Sequence, residues 1–314
     1  MDTSSKLKLM NQPLVTVGVA SYNNAAYLRE TLESIRQQTY PNVEVLIVDD
    51  ASTDESVAVA RAWLAEHPQV RGRVIEHPVN RGICPACNTL VTQAQGEFIC
   101  LIGSDDVYLP DKLAVQVPLL LNAPPEVGVI FGPVELMGPT GEPLPAPAEW
   151  DTYAEGDIFL PLLKQNFIPA MGTLIRRSCY DKVGLYDEEL AYEDLDMWLR
   201  IARHFKFKYS PRVSARYRVH RKSAMQMRQA VLTESTLRLL HKHTGISAET
   251  DAIIEGHTKY LAERLYQWGG KQARRWLKLR WKQDHKLNSG VLYGLASVGI
   301  PGKYVQQFQR WLGR

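Results

Sequence analysis

Two pairs of adjacent aspartates each follow a run of apolar residues. Asp49-Asp50 follows VEVLIV, and Asp105-Asp106 comes just after FICLIG. If both runs are strands of a parallel sheet, the four carboxylates lie at the edge where such sheets bind ligands. Adjacent carboxylates suit a hard divalent cation such as Mg²⁺ or Mn²⁺. The alternative for each pair is a solvated acidic turn that precedes the next helix.

A third acidic pair, Glu193-Asp194, precedes a segment of helical periodicity. Leu195, Leu199 and Ala202 lie on one stripe of that segment, which predicts an amphipathic helix. A helix N-terminus favours an ionised carboxylate, which is the form that a general base needs. The alternative is that these acids only complement the helix dipole.

The elements that position these acids alternate along the chain. Strands are predicted at residues 15–20, 43–48, 74–76, 98–102 and 127–131, with helices between them. Ser52 and Glu55 have the spacing of a capping box, which predicts that they cap the second helix. The strands are apolar throughout, so we expect an α/β fold with a mostly parallel sheet covered by helices on both faces.

The ordered motifs resemble glycosyltransferase family 2 over roughly residues 14–222. They are VTVGVASYNNAAYLRETLESIRQQTYPNVEVLIVDDASTDES, NRGICPACNTLVTQAQGEFICLIGSDDVYLPDKL, CYDKVGLYDEEL and EDLDMWLR. The resemblance implies the Rossmann-like GT-A fold. It also implies an inverting enzyme that transfers a sugar from a nucleotide-diphosphate donor to an acceptor hydroxyl with the help of Mn²⁺ or Mg²⁺.

The resemblance also implies roles for the acids. Asp106 is expected to bind the metal together with His220, and Asp105 is expected near the donor ribose or the metal. Asp194 matches the catalytic base. Many relatives carry a further acid at the position of Gly103, so the division of roles between the two remaining aspartates stays open.

Four further positions match residues that bind the donor in the family. Asp50 is expected to accept a hydrogen bond from the imide N–H of uracil or thymine, with Ala20 and Tyr22 beside the base. Arg81 and Asn88 belong to a segment that lies against the donor. The favoured donors are therefore UDP- or dTDP-sugars, although cytosine and guanine pockets remain open.

The four cysteines do not indicate a disulfide framework. Cys84 and Cys87 form a C-x-x-C pair, but no second pair lies at metal-ligand spacing, so redox or zinc chemistry is the weaker interpretation. The N-terminus lacks the apolar core of a signal peptide, and no run approaches the roughly 20 apolar residues of a membrane-spanning helix. We expect a cytoplasmic protein that reaches a membrane only at its inner surface.

The C-terminal region differs from the rest in charge and pattern. We place a domain boundary between residues 222 and 223, with a catalytic domain over 1–222 and a helical, basic and aromatic region over 223–314. Residues 261–314 carry 11 Lys/Arg and 2 Asp/Glu, against 26 and 32 in the remainder. This region predicts either contact with an anionic membrane, where a lipid-linked acceptor would lie, or a helical subdomain packed on the catalytic domain. Nucleic acid is not expected, because no recognition motif accompanies the charge.

Rival functions lack their motifs. A nucleotidyltransferase needs a basic glycine-rich loop after the first strand, where this chain has SYNNAAY, and a dinucleotide-dependent oxidoreductase needs G-x-G-x-x-G. We therefore predict a glycosyltransferase of polysaccharide, lipopolysaccharide or other glycoconjugate synthesis, acting on a saccharide or lipid-linked acceptor. The alternative is a nucleotide-sugar-binding or scaffold protein without turnover.

Overall fold

The computed structural model describes residues 12–145, 153–220 and 229–305. It divides into two compact units, the first comprising residues 1–189 and 193–220 and the second comprising residues 190–192 and 221–314. The predicted domain boundary between residues 222 and 223 lies outside the described residues.

The first unit contains a seven-stranded sheet with the order β10-β6-β9-β4-β1-β2-β3. Neighbouring strands are parallel except at β9, which runs antiparallel to both β4 and β6. The prediction of a mostly parallel sheet is confirmed. The seven strands are β1 Val15–Ser21, β2 Val43–Asp49, β3 Arg71–Glu76, β4 Phe98–Gly103, β6 Val127–Phe131, β9 Thr173–Arg176 and β10 Lys206–Tyr209.

A second sheet of four short strands was not predicted. Its order is β5-β11-β7-β8, and its strands are β5 Val107–Tyr108, β7 Val134–Met137, β8 Pro143–Leu144 and β11 Ala215–Arg218. The segment KFKYSPRVSARYRVH supplies β10 to the large sheet and β11 to the small one. In the Pro- and Gly-rich run of residues 138–149, residues 138–142 lead into β8, and residues 146–149 lie outside the described residues.

Helices connect and cover the strands of the first unit. They are α1 Ala25–Arg36, α2 Ser56–Glu66, α3 Ile83–Gln93, α4 Lys112–Leu121, α5 Phe159–Lys164, α6 Arg177–Val183 and α7 Asp194–Ala202. Val17 and Val19 of β1 are fully buried, as are Leu28 and Leu32 of α1 and Trp63 of α2. Complete burial of such a side chain stabilises the fold by about 1.5–3 kcal/mol, so the apolar strand pattern and the helical stripes define one core.

The predicted capping box is wrong. The residue before α2 is Glu55, and no side chain caps the helix from that position. Ser52 instead binds Asp49 through both its N–H and its hydroxyl, and its Oγ accepts the N–H of Asn23. Ser52 therefore joins the loops after β1 and β2 rather than starting the helix.

The second unit is helical, as predicted. Its helices are α8 Gln229–His241, α9 Ala248–Gln267, α10 Ala273–Asp284 and α11 Leu287–Ser297. They share a core that includes Leu237, Leu265, Trp276 and Leu277. None of the helices in the described ranges combines the length and the apolar character needed to cross a lipid bilayer.

Candidate active site

The carboxyl ends of β2, β1 and β4 place the first two acid pairs at one edge of the large sheet. Ser21 at the end of β1 lies beside Asp49 in the register with β2, and Ala20 lies beside Gly103 in the register with β4. Ala20 accepts the backbone N–H of Ser104 at 3.1 Å. We call this region the carboxyl edge. The sequence prediction that these strand ends lie side by side is confirmed.

Gly103 leaves room for the side chain of Asp105. A Cβ atom at Gly103 would lie 2.7 Å from Oδ1 of Asp105 and 3.3 Å from Oδ2 of Asp106. The Asp105 carboxylate therefore occupies space that a side chain at Gly103 would need.

Asp106 is almost completely buried, with 2% of its surface exposed. Its Oδ1 accepts the backbone N–H of Arg218 at 2.9 Å, and its carbonyl accepts the hydroxyl of Thr31 at 2.7 Å. Burial raises the pKa of Asp106 well above its ordinary value, and the neighbouring charge of Asp105 raises it further, while Arg218 opposes both effects. A nearby cation would favour ionisation of this carboxyl group.

The end of β11 brings His220 and Arg218 to the same place. His220 Nε2 lies 2.9 Å from Oδ2 of Asp105, although the two residues are far apart in sequence. The guanidinium of Arg218 donates to the carbonyl of Asp105 at 2.8 Å and to Glu30 at 2.6 Å, and it lies over the ring of Tyr27. Arg218 thereby fixes the backbone on both sides of the acid pair.

Asp105, Asp106 and His220 offer oxygen and nitrogen ligands of the kind that divalent cations take. The Asp105 and His220 atoms are 2.9 Å apart, which is a hydrogen-bond distance. In the conformation that the structure describes, no three His, Cys, Asp or Glu side chains of the described residues converge closely enough to hold a metal ion. A cation at this place would therefore need further ligands, such as substrate phosphate oxygens and water.

Asp50 holds the loop between β3 and α3. Its carboxylate accepts the backbone N–H groups of Arg81 and Gly82 and lies 2.8 Å from Nδ1 of His77. A carboxylate has about four acceptor positions, and Asp50 is 3% exposed. In this conformation most of the hydrogen-bond acceptor positions of Asp50 are used within the protein. Tyr22, the other residue predicted beside the base, is 48% exposed at the carboxyl edge.

Asn88 and Arg81 both contact the segment before α7. Asn88 is buried, accepts the N–H of Tyr186 at 2.8 Å, and donates to the carbonyl of Tyr186 and to Glu188 at 3.0 Å. Arg81 forms a partly exposed ion pair with Glu188 at 3.2 Å. The structure thus gives both predicted donor-binding residues a role in holding residues 186–188.

Asp194 is the first residue of α7 and is half-buried. Its Oδ1 accepts the N–H of Leu195, and its Oδ2 accepts the amide of Asn166 at 3.2 Å. Burial raises the pKa of Asp194, and these two hydrogen bonds oppose the effect. Burial and the charge of Asp194 raise the pKa of Glu193 to about 7. A small cavity beside the pair is lined by Leu101, Ala170, Thr173, Ile175, Tyr186 and Trp198.

The model of the family described as "Glycosyl transferase family 2" matches residues 16–184, more than half of the 314-residue chain. The chain belongs to glycosyltransferase family 2.

Relatives in this family include an uncharacterized glycosyltransferase of Rickettsia prowazekii. The two are 28% identical over 211 residues, which cover 66% of this chain and 64% of that protein. TuaG of Bacillus subtilis, whose name assigns it as a glycosyltransferase to teichuronic acid biosynthesis, is 29% identical over 61% of this chain and 73% of its own length. The chain spans between 30% and 64% of the length of the first five curated relatives it matches.

Solved structures of two glycosyltransferases share the GT-A fold with this chain. The mannosyltransferase PcManGT of Pyrobaculum calidifontis, in complex with GDP-Man and Mn²⁺, is 21% identical with a TM-score of 0.62, covering 96% of this chain and 85% of its own. TarS 1–349 of S. aureus, in complex with UDP-GlcNAc, is 17% identical with a TM-score of 0.60, covering 89% and 78%. At these identities the likeness shows the fold.

Tyr217 of β11 was not singled out in the sequence. We call Asp105-Asp106 the β4 acid pair and Glu193-Asp194 the α7 acid pair. Burial and the charges of both pairs raise the pKa of Tyr217 to about 12. Tyr217 therefore lies within electrostatic reach of both pairs. A single tyrosine in a short strand gives no signal of this position in the sequence.

Cys84 and Cys87 are buried thiols at the start of α3 in this family 2 domain. Burial raises the pKa of Cys84 to about 12 and that of Cys87 well above its ordinary value, and the charge of Glu193 adds to both. A reactive cysteine needs a lowered pKa and access to solvent. Packing is therefore the role that fits this pair.

Proposed function

We propose that the protein transfers a sugar from a nucleotide-diphosphate donor to an acceptor hydroxyl with inversion of the anomeric centre. The observation that carries the proposal is that a family 2 domain places the Asp49-Asp50 and β4 acid pairs side by side at the carboxyl edge, with the α7 acid pair at the start of a helix. The β4 acid pair suits the binding of a cation together with the donor diphosphate. The α7 acid pair suits a general base that accepts the proton of the acceptor hydroxyl.

In the proposed reaction Asp194 accepts the proton of the acceptor hydroxyl. The hydroxyl oxygen forms a bond to the anomeric carbon, and the bond from that carbon to the diphosphate oxygen breaks on the opposite face. The hydrogen bond from Asn166 and the N–H of Leu195 orient the carboxylate and favour its ionised form. No covalent intermediate between sugar and protein is needed.

Asp105, Asp106 and His220 are the proposed residues for Mn²⁺ or Mg²⁺. When bound, the cation would offset negative charge on the departing nucleoside diphosphate. Arg218 supports the pair by fixing Asp105 through its carbonyl and Asp106 through its carboxylate. The Mn²⁺ in the PcManGT structure is consistent with this assignment.

The proposed donor is a UDP- or dTDP-sugar, with Ala20, Tyr22 and Asp50 at the base and Arg81 and Asn88 on the donor side. To bind the base, Asp50 would use an acceptor position of its carboxylate that His77, Arg81 and Gly82 do not occupy. The related folds bind different nucleotides, GDP-Man in PcManGT and UDP-GlcNAc in TarS. A GDP-sugar therefore belongs in every donor panel.

The proposed acceptor is a saccharide or a lipid-linked saccharide of polysaccharide or glycoconjugate synthesis. The relationship to TuaG supports this class. We propose a cytoplasmic site of action, at the inner face of the membrane when the acceptor is lipid-linked. Contact between the C-terminal region and that membrane is part of the proposal.

The Asp194→Asn variant tests the base. We expect donor binding to be retained and transfer to fall about 10²- to 10⁴-fold, since a general base typically contributes that factor. The measurement is the release of nucleoside diphosphate from the donor in the presence of acceptor saccharides. Glu193→Gln is the matched control, and we expect it to keep most of the activity.

Near-normal turnover in Asp194→Asn would contradict the assignment of the base. Loss in Glu193→Gln alone would move the base to Glu193. If the wild-type protein binds a nucleotide sugar but releases no nucleoside diphosphate with any acceptor, the alternative of a binding or scaffold protein is favoured.

A further inference from the structure

Helix α11 has an exposed apolar stripe. Leu287 and Val291 lie four residues apart, and Val298 follows seven residues later just after the helix, so the three share one side. Their exposed fractions are 82%, 51% and 74%. Ser289 and Leu292 lie on the opposite side and are buried. The stripe is therefore not part of the core of the second unit.

Helix α10 has an exposed basic stripe. Arg274, Lys278 and Lys282 are spaced by four residues and are all exposed, whereas Trp276 and Leu277 are buried on the opposite side. The one acidic residue of α10, Asp284, is turned inward: its side chain is 2% exposed and lies 3.9 Å from Arg280. It does not neutralise the basic stripe.

The two stripes adjoin through Trp281 and Tyr293. The Trp281 ring stacks on the ring of Tyr293, with centroids 5.7 Å apart and planes 21° apart. A Cβ at Gly290 would lie 3.0 Å from Nε1 of Trp281. A hydrogen bond with Ser297 lowers the pKa of Tyr293 most, and a hydrogen bond with Arg274 and the positive charges of Lys278 and Arg274 lower it further. Basic, aromatic and apolar side chains thus follow one another across the helix pair.

We call this the α10–α11 surface and define it by Arg274, Lys278, Trp281, Lys282, Leu287, Val291 and Val298. Large exposed apolar groups beside exposed cations suit the boundary between lipid headgroups and acyl chains better than they suit water. There the apolar groups leave water, the tryptophan spans the boundary, and the cations meet anionic headgroups. Nucleic acid would use the cations but not the apolar stripe.

We propose that the α10–α11 surface binds the surface of a bilayer that contains anionic lipids. This deepens the membrane part of the proposed function, yet binding rests on the second unit alone and needs no sugar donor. Liposome binding and sugar transfer can therefore fail independently, and each failure identifies the proposal that it contradicts.

The test is flotation of the full chain with liposomes of phosphatidylcholine, with and without phosphatidylglycerol. We expect flotation with the anionic liposomes only, and weaker binding as salt concentration rises. Lys278→Ser with Lys282→Ser should weaken binding about 30-fold, at about 1 kcal/mol for each basic residue near the membrane. Leu287→Ser with Val291→Ser should weaken it at least tenfold, by loss of the apolar contact.

Matched control variants make the same changes elsewhere on the exposed surface. Leu121→Ser with Ile246→Ser removes two exposed apolar groups, and Lys182→Ser with Arg203→Ser removes two exposed cations. Both controls should float like wild type, and circular dichroism should show all four variants folded. Equal flotation of test and control variants would overturn the proposal. A wild-type protein that stays in the lipid-free fraction would also overturn the proposal. If the Leu287 and Val291 changes then dissociate a dimer, the surface is an interface between two copies of the chain and not a membrane-binding surface.

Discussion

The α7 acid pair shows how two adjacent carboxyl groups acquire different properties. Burial raises the pKa of both groups, and the charge of Asp194 further raises that of Glu193, to about 7. Asp194 accepts hydrogen bonds from the N–H of Leu195 and the amide of Asn166, and both favour the ionised form that a general base needs. Glu193 keeps a proton in a substantial part of the molecules at neutral pH. The assignment of Asp194 as base thus has a physical basis beyond its position in the motif.

The raised pKa of Glu193 predicts a change in stability with pH. Its ordinary pKa is 4.5 and its folded value is about 7, so between these values the folded state binds more protons than the unfolded state. Stability from this group is therefore present at low pH and is lost as pH rises through 7. We expect the Tm of Glu193→Gln minus that of wild type to be larger at pH 8 than at pH 5. Differential scanning fluorimetry checks this, and a difference that is constant with pH would contradict it.

Gly103 predicts a specific effect on cation binding. A methyl group there would fall 2.7 Å from Oδ1 of Asp105 and push that carboxylate away from His220. Since the displaced atom is the end of a side chain and Gly103 is not among the glycines with positive φ, Gly103→Ala should stay folded with a nearly unchanged Tm. We expect its Mn²⁺ affinity to fall at least tenfold.

Titration calorimetry with Mn²⁺ and nucleoside diphosphate measures the Gly103→Ala affinity. Gly141→Ala is an unsuitable control, because that glycine has positive φ. Gly256→Ala is suitable, since it lies in α9 with open space at its Cβ position. Unchanged Mn²⁺ affinity in Gly103→Ala would contradict the role of Asp105.

At the scale of elements, Asn88 couples α3 to the segment before α7. Asn88→Ala would leave the backbone N–H and carbonyl of Tyr186 without their partner. An unsatisfied buried polar group costs about 1–3 kcal/mol, so we expect a clear fall in the free energy of unfolding. If Asn88 acts by holding this segment, Asn88→Ala should change the KM for the donor much less than it changes the free energy of unfolding. Urea unfolding and donor titration separate the two, and an unchanged stability with a raised KM would instead indicate direct contact with the donor.

The elements that were predicted from sequence are those with continuous local patterns. β1, β2 and β4 are long apolar runs, and α7 has a regular stripe, so their positions and the three acid pairs followed from sequence. β5 and β8 have two residues each, too few for a periodic signal. β9 inserts antiparallel between β4 and β6, and no local pattern specifies its partners.

The parts of the site that could not be predicted depend on contacts between distant residues. The resemblance named His220 as a partner of Asp106, but its contact with Asp105 arises because β11 pairs with β5, which follows the β4 acid pair. Asn88 meets Tyr186 because α3 packs near the chain before α7. Asp50 has the predicted position, but its hydrogen bonds to the loop at Arg81 and Gly82 follow from the turn of the backbone. Tyr217 lies in a four-residue strand, and the effect of both acid pairs on its pKa depends on how distant parts of the chain come together.

At the scale of the whole molecule, the two units carry different chemistry. The first unit holds the acid pairs at the carboxyl edge, and the second holds the excess of positive charge and the exposed apolar stripe. Because the acidic excess of one part of the chain offsets the basic excess of the other, the net charge of +3 reveals neither. It also allows donor binding and membrane binding to be measured separately in the full chain.

The central claim is that the carboxyl edge binds a nucleotide-diphosphate sugar together with a divalent cation. The most direct measurement is the Tm of the wild-type protein with a panel of UDP-, dTDP-, GDP- and CDP-sugars, each with Mn²⁺ and with chelator. A ligand at 100 times its Kd stabilises the folded state by about 2.7 kcal/mol, which corresponds to several degrees. We predict such a rise for one nucleotide class, with Mn²⁺ and not with chelator. A folded protein whose Tm no nucleotide sugar raises in the presence of Mn²⁺ would contradict the account.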